Sequence, residues 1–164
     1  TDHYNPLDKT VNLSDSVYAS NSVAAAAVAA HECGHAVQHA KAYTPLKLRS
    51  ALVPVVSFGS KIVPFLIIAS FLIGIASPFG YWALLAGVIL FGATTLFSFI
   101  TLPVEFDASK RALAWLSDSG IMPPQEHEGA KDALKWAAMT YIVAALASLG
   151  QLLYYVFLLL NNRR

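Results

Sequence analysis

Charge and cysteine are what this 164-residue chain has least of. Asp, Glu, Lys and Arg make up 13% of it, against about 25% in a soluble domain. The deficit is concentrated. Residues 51–77, 81–102 and 137–160 hold no aspartate or glutamate, and Lys61 is the one basic residue in the three stretches. That excludes an ordinary soluble globule and predicts a multi-pass membrane protein with a lipid bilayer around these stretches. A formal net charge of +1 excludes a bulk electrostatic drive toward nucleic acid. Cys33 is the only cysteine, so no disulfide framework can form within the chain. A start signal is missing too: the chain opens at Thr1, inside what reads as a strand, with neither methionine nor leader. A further segment upstream is expected, with room for its own membrane anchor.

The polar residues fall between the apolar stretches. Residues 1–13 read as a short β-hairpin, with Asn5-Pro6-Leu7-Asp8 as its turn signal and Thr10 to Leu13 alternating. Ser14-Asp15-Ser16 starts a short helix. Asn21-Ser22 supplies a cap for a longer helix over about residues 22–43. Its first half, Val23 to Ala30, is nearly all alanine and valine, which suits a central helix packed closely by neighbours. Residues 51–77 then cross the membrane, Ser77-Pro78-Phe79-Gly80 turns, and residues 81–102 return, with Tyr81 and Trp82 at an interface and Pro103 ending the span. Residues 103–136 are polar and helical in two pieces. Asp118-Ser119-Gly120 closes the first; Pro123-Pro124 opens the second, with Glu126 and Glu128 where the helix dipole favours acids. Residues 137–160 form a third span before a tail, 161–164.

The long N-terminal helix carries His31-Glu32-Cys33-Gly34-His35, an H-E-x-x-H motif. Residues four apart on a helix share a face, so both imidazoles can reach one metal ion. Glu32 directly follows the first histidine, where its carboxylate can meet a metal-bound water. This is the arrangement of a zinc peptidase, with one zinc ion per chain. Zinc would lower the pKa of that water to about 7, and Glu32 would carry its proton to the leaving amine. A further donor would steady the oxyanion; His127, Tyr18, Tyr43 and His3 are candidates, although His127 reads more simply as a residue capping a helix start. His39 extends the spacing of His31 and His35 by four. It lies about 12 Å along the axis from His31, too far for the same ion, and reads as a second-shell or surface histidine. Cys33 points away from the shared face and reads as a small buried residue.

A catalytic zinc takes three protein ligands and a water. Two consecutive spans bring the chain back to the side it left, so residues 103–136 must face the motif. Glu105, Asp107, Asp118, Glu126, Glu128 and Asp132 are then available. Glu105 is the best placed, just past the membrane exit on a helix that can lie against the first; its plainer reading is an acid stabilised by the helix dipole. Asp107 either orients a ligand histidine through its free ring nitrogen or is a solvated helix acid. Lys9, Lys41, Lys47, Arg49, Lys110, Arg111, Lys131 and Lys135 share the side of the motif, against Arg163 and Arg164 on the other. The positive-inside rule puts the site on the cytoplasmic face of the cell (inner) membrane.

The run His31 to Ala40 together with Leu102-Pro103-Val104-Glu105-Phe106-Asp107-Ala108-Ser109 resembles the YugP-type neutral zinc metallopeptidases of bacterial membranes. The opening Thr1-Asp2-His3-Tyr4-Asn5-Pro6 and the stretch Ala137-Ala138-Met139-Thr140-Tyr141 are similar as well, so the likeness runs over nearly the whole chain. It implies a gluzincin-like site: His31 and His35 as ligands, Glu105 as the third, Glu32 as base. It also implies a membrane helix upstream of Thr1. A more distant likeness is to HtpX-type membrane proteases, which carry an acid four residues after the ligand glutamate, where this chain has Ser109.

The fold expected is therefore mainly α: a multi-pass membrane protein with a small zincin-like helical metallopeptidase domain and a short N-terminal β-hairpin. Residues 1–50 and 103–136 would form the two halves of that domain around the hairpin through the bilayer, 51–102. The substrate would be a peptide or protein; the strand at residues 11–13 reads either as an edge for strand addition or as an ordinary structural hairpin. Three other readings fit less well. A di-iron site needs a second E-x-x-H, which the chain lacks. An intramembrane zinc protease would draw an aspartate from a span, and the spans have none. A non-catalytic membrane scaffold with structural zinc would want four protein ligands, often cysteines.

Overall fold

The computed structural model describes residues 1–162; Arg163 and Arg164, which the charge count uses, lie outside the described residues. The chain is mainly helical: β1 (His3–Asn5), β2 (Thr10–Asn12), α1 (Asp15–Tyr18), α2 (Val23–Ala40), α3 (Thr44–Ile73), α4 (Pro78–Asp118), a 3-10 turn (Pro124–Glu126) and α5 (His127–Asn161). Helices α3, α4 and α5 are each long and apolar enough to cross a membrane. The chain divides into two compact units: Thr1–Lys47 with Thr101–Tyr141, and Leu48–Ile100 with the chain from Ile142 onward.

In the first unit, β1 and β2 pair antiparallel with Tyr4 opposite Val11. The turn works through Asn5, whose Oδ1 accepts the Leu7 amide at 3.0 Å while its Nδ2 donates to Asp8 at 2.8 Å. Lys9 then adopts φ 56°. Asp2 ties the hairpin to the chain beyond it by accepting from the Ser14 amide at 2.7 Å and its hydroxyl at 3.0 Å. That amide bond outweighs the little burial there and lowers the Asp2 pKa. Ser22 caps α2 by accepting from Ala25 N at 3.2 Å. The helix stops at Ala40, short of residue 43, because Ala42 turns left-handed (φ 52°) and Tyr43 N donates back to Gln38 O. Ala27 and Ala30 on α2 bury against Ala112 and Leu116 of α4 and Ala130 and Leu134 of α5, with Met122 closing one end. Ala27 and Ala30 contribute only methyl groups from α2, which lets its neighbours approach closely.

Pro103 does not end α4. A proline removes one helical N–H, crowds the carbonyl four residues back and costs about 3 kcal/mol. Val104, Ala108, Ala112 and Leu116 nevertheless bury at a spacing of four on one face, and that packing carries the helix onward. Likewise, the second polar piece and the third apolar stretch form one continuous helix, α5.

The second unit packs Val63 and Ile67 of α3, Leu84 and Val88 of α4 and Leu159 of α5 into one cluster. Thr95 and Ser148 share a 2.7 Å hydrogen bond between α4 and α5, the kind of polar contact that joins apolar helices. Helix α3 passes through Pro54 and Pro64 and ends at Ile73, earlier than residue 77. The turn sits at residues 74–77 rather than 77–80. Gly74 takes φ 94°, and Ser77 Oγ accepts from Gly80 N at 3.1 Å, so Pro78 opens α4 in the position that proline suits. Large side chains such as Phe65, Leu72, Trp82 and Phe157 are exposed on these helices; a bilayer is the solvent that accommodates them.

Candidate metal centre

Helical spacing stacks His31 and His35 on one face of α2, their ring centroids 4.7 Å apart and nearly perpendicular. Gly34 lets α4 meet that face. A Cβ there would stand 2.5 Å from Ala108 O, so only glycine permits the approach. Across it, Glu105 is 3% exposed. Its Oε2 lies 3.1 Å from His31 Nε2 and 3.6 Å from His35 Nε2. Donors about 2.0–2.1 Å from a tetrahedral zinc stand about 3.3 Å from one another. The two distances straddle that value, so two imidazoles and a carboxylate fit the ion in kind and in spacing. Ligating atoms of His31, Glu32 and His35 also lie within 4.8 Å of one another.

The other ring nitrogens are engaged as well. Gln38, fully buried one turn beyond His35, spends both amide hydrogens on α4: Nε2 donates to Val104 O at 2.7 Å and to Asp107 Oδ2 at 2.8 Å. Its Oε1 must therefore face His35 Nδ1, at 3.0 Å. That makes Nδ1 the protonated nitrogen and leaves the lone pair on Nε2, toward Glu105. Arg111 Nε donates to the same Asp107 oxygen at 2.6 Å. Ser109 Oγ takes up His31 Nδ1 at 3.0 Å.

The electrostatics follow from these contacts. Burial opposes a charged His35, but the hydrogen bond and charge of Glu105, the bond to Gln38 and the charge of Glu32 together outweigh it and raise its pKa. Burial also opposes the Asp107 carboxylate. Its bonds from Arg111 and Gln38, with the charges of Arg111 and Lys110, prevail and lower its pKa. Partial cover of the sulfur by its neighbours, and then the charge of Glu32, push the Cys33 thiol upward even though the residue is exposed.

A cavity of ≈ 160 Å³ opens at the site. His31, Glu32, Glu105 and Ser109 form its polar end; Val28, Leu134, Ala137, Ala138 and Tyr141 form the rest. The other residues singled out from the sequence lie elsewhere. His39 Nδ1 shares a 2.7 Å hydrogen bond with Tyr4 OH on the hairpin. His127 Nε2 bonds Met122 O at 3.2 Å, at the start of α5. His3 bonds Thr1 O, Tyr18 is exposed, and Tyr43 lies under the Arg111 guanidinium. Asp107 reaches His35 only through Gln38. Cys33 is exposed rather than buried, because two residues on from His31 it falls on the opposite side of α2.

Gln38, Ser109 and Tyr141 are the site residues that sequence reasoning missed. Gln38 follows His35 by three, on the same helix face, and Ser109 follows Glu105 by four, so spacing alone could have found both. Tyr141 comes from a third helix, and no spacing relates it to the motif.

The chain belongs to the family described as "Putative neutral zinc metallopeptidase", which matches residues 1–160. It is 44% identical over 163 residues to a protein of Bacillus subtilis (strain 168) described as "Putative membrane protease YugP", covering 99% of this chain and 70% of that protein. No solved structure matches it.

Proposed function

We propose that this chain is a zinc endopeptidase of the membrane surface, with a gluzincin-like site in which His31, His35 and Glu105 hold one zinc ion and Glu32 is the general base. The observation that carries this reading is the convergence of His31 Nε2, His35 Nε2 and Glu105 Oε2 at 3.1 and 3.6 Å beside Glu32. Zinc held there would acidify a water and polarise the scissile carbonyl. Glu32 takes one proton from the attacking water as oxygen adds to the carbonyl carbon, then delivers it to the amine nitrogen as the C–N bond breaks. Gln38 and Ser109 keep the two imidazoles turned inward. Tyr141 lines the same cavity, and its phenol is the candidate to steady the oxyanion.

Helix α2, which carries the motif, is not among the three helices able to cross a membrane, which favours a site outside the bilayer over an intramembrane one. Only Pro103 and Val104 separate Glu105 from Leu102 at the end of the second apolar stretch, which favours a site near the bilayer and protein substrates at its surface. The lysine and arginine distribution supports a cytoplasmic surface. Cysteine-labelling that finds residues 119–123 accessible only from outside the cell would reverse this orientation.

Glu32→Gln in the full chain, purified in detergent, is the direct test. One zinc per chain is expected to remain while proteolysis is lost. A zinc-bound Glu32→Gln protein with full activity would remove Glu32 from the mechanism, and a zinc-loaded parent that cleaves nothing would favour the non-catalytic scaffold.

A further inference from the structure

The cavity beside Glu32 has an apolar wall of which the proposed catalysis uses Tyr141 alone. Val28 stands one turn before Glu32 on the same face of α2. Leu134, Ala137, Ala138 and Tyr141 follow one another at intervals of three, one and three, a single stripe along α5. Leu134 and Ala138 are buried, so the wall is held in place by the packing of the unit.

Size and polarity together limit what can enter. At ≈ 160 Å³ the cavity falls well short of the roughly 300–1,000 Å³ of sites for drug-sized ligands and cofactors. A space of that size suits a single side chain rather than a whole ligand. Along Val28, Leu134, Ala137 and Ala138 the wall has no polar side chain, so an aliphatic chain is covered there at no polar cost, while an acid would face Glu32 and Glu105.

Building on the endopeptidase reading, we propose that this cavity is a specificity pocket that receives one aliphatic side chain of the substrate, from a residue flanking the scissile bond. Val28 and Leu134 form its sides, and Ala137 and Ala138 set its depth by being small.

The test uses the full zinc-loaded chain in detergent and a mixture of peptides randomised at every position, with the products sequenced by mass spectrometry. Leu, Ile, Val or Met should dominate one position flanking the cut, about tenfold or more over charged residues. A methylene in such a pocket is worth about 10- to 200-fold in specificity. Ala138→Val, and independently Ala137→Leu at the more open end, should therefore move the preference toward Gly and Ala by about tenfold, with zinc content retained. Leu134→Ala should admit Phe. A flat residue distribution at both flanking positions overturns the pocket while leaving the peptidase reading intact. So does an aliphatic preference unchanged in both folded alanine variants. Absence of all cleavage by the zinc-loaded parent overturns both together.

Discussion

Replacing Gln38 by methionine separates the metal ligands from the groups that aim them. Methionine matches glutamine in length and flexibility and is apolar, so the buried volume is nearly conserved. Three hydrogen bonds disappear: to His35 Nδ1, to Val104 O and to Asp107 Oδ2. Asp107 keeps Arg111 at 2.6 Å, and Val104 O belongs to a continuous helix, so the unpartnered group is the His35 Nδ1–H. A buried donor left without an acceptor costs about 1–3 kcal/mol. The ring can recover by moving its proton to Nε2, but that removes the lone pair a metal needs. Loss of such an outer partner typically weakens metal binding about 10- to 100-fold, or about 1.4–2.7 kcal/mol. Gln38→Glu is the counterpart. It restores an acceptor for His35 but sets a second carboxylate where Nε2 stood 2.8 Å from Asp107, so it should lose stability more than zinc affinity. Both are measured by chelator competition and thermal unfolding of the full chain in detergent. A Gln38→Met protein that binds zinc within about twofold of the parent and melts at the same temperature would refute the reasoning.

Further outcomes follow from the same geometry. Glu105→Gln should weaken zinc binding by more than the roughly 10- to 100-fold of an outer partner; unchanged affinity in chelator competition would place the third ligand elsewhere. Gly34→Ala sets a Cβ 2.5 Å from Ala108 O, and the overpacking should cost about 1–3 kcal/mol in unfolding measurements and lower zinc affinity as Glu105 is pushed from the histidines. Tyr141→Phe should reduce kcat by about 10²- to 10³-fold with zinc content unchanged, the loss expected for one oxyanion donor. The raised pKa of His35 stabilises the metal-free fold below the unfolded pKa of about 6.5, and that contribution is lost as pH rises through the folded value. Zinc needs His35 neutral, so its effect on the melting temperature should be larger at pH 8 than at pH 6.

The parts of the site legible in the sequence were those fixed by helical spacing within one element. His31, Glu32 and His35 needed only the rise and turn of α2. Glu105 became a candidate through topology, because two apolar stretches return the chain to the side of the motif. What spacing and topology left out was packing. Pro103 looks like a terminus in isolation, yet the buried stripe from Val104 to Leu116 outweighs its local cost. Gly34 looked like an unspecified position of the motif, but Ala108 O makes it the point where two helices touch. The outer partners were hidden for a related reason. Ser109 is an ordinary helix residue in the sequence, and its hydroxyl reaches His31 Nδ1; Asp107, readable either as a histidine partner or as a solvated helix acid, works through the Gln38 amide.

That amide bears on how a buried set of donors and acceptors can persist without collapsing the fold. Two imidazoles and two carboxylates in a partly enclosed space would be costly if each kept its full charge and no partner. The surrounding groups divide the problem. Arg111 and Gln38 satisfy Asp107, Gln38 fixes the proton of His35, and Ser109 engages His31. What is left facing inward is a pair of ring nitrogens around the carboxylate of Glu105. A proton on His35 can neutralise that cluster, which is why its pKa is raised despite burial. The same place and the same lone pairs suit a divalent cation, with more charge to offer and a spacing already close to its own. On the proposed zinc reading the proton and the metal compete for one position, and the network that makes the metal-free fold tolerable is the one that would present two nitrogens and an oxygen to zinc.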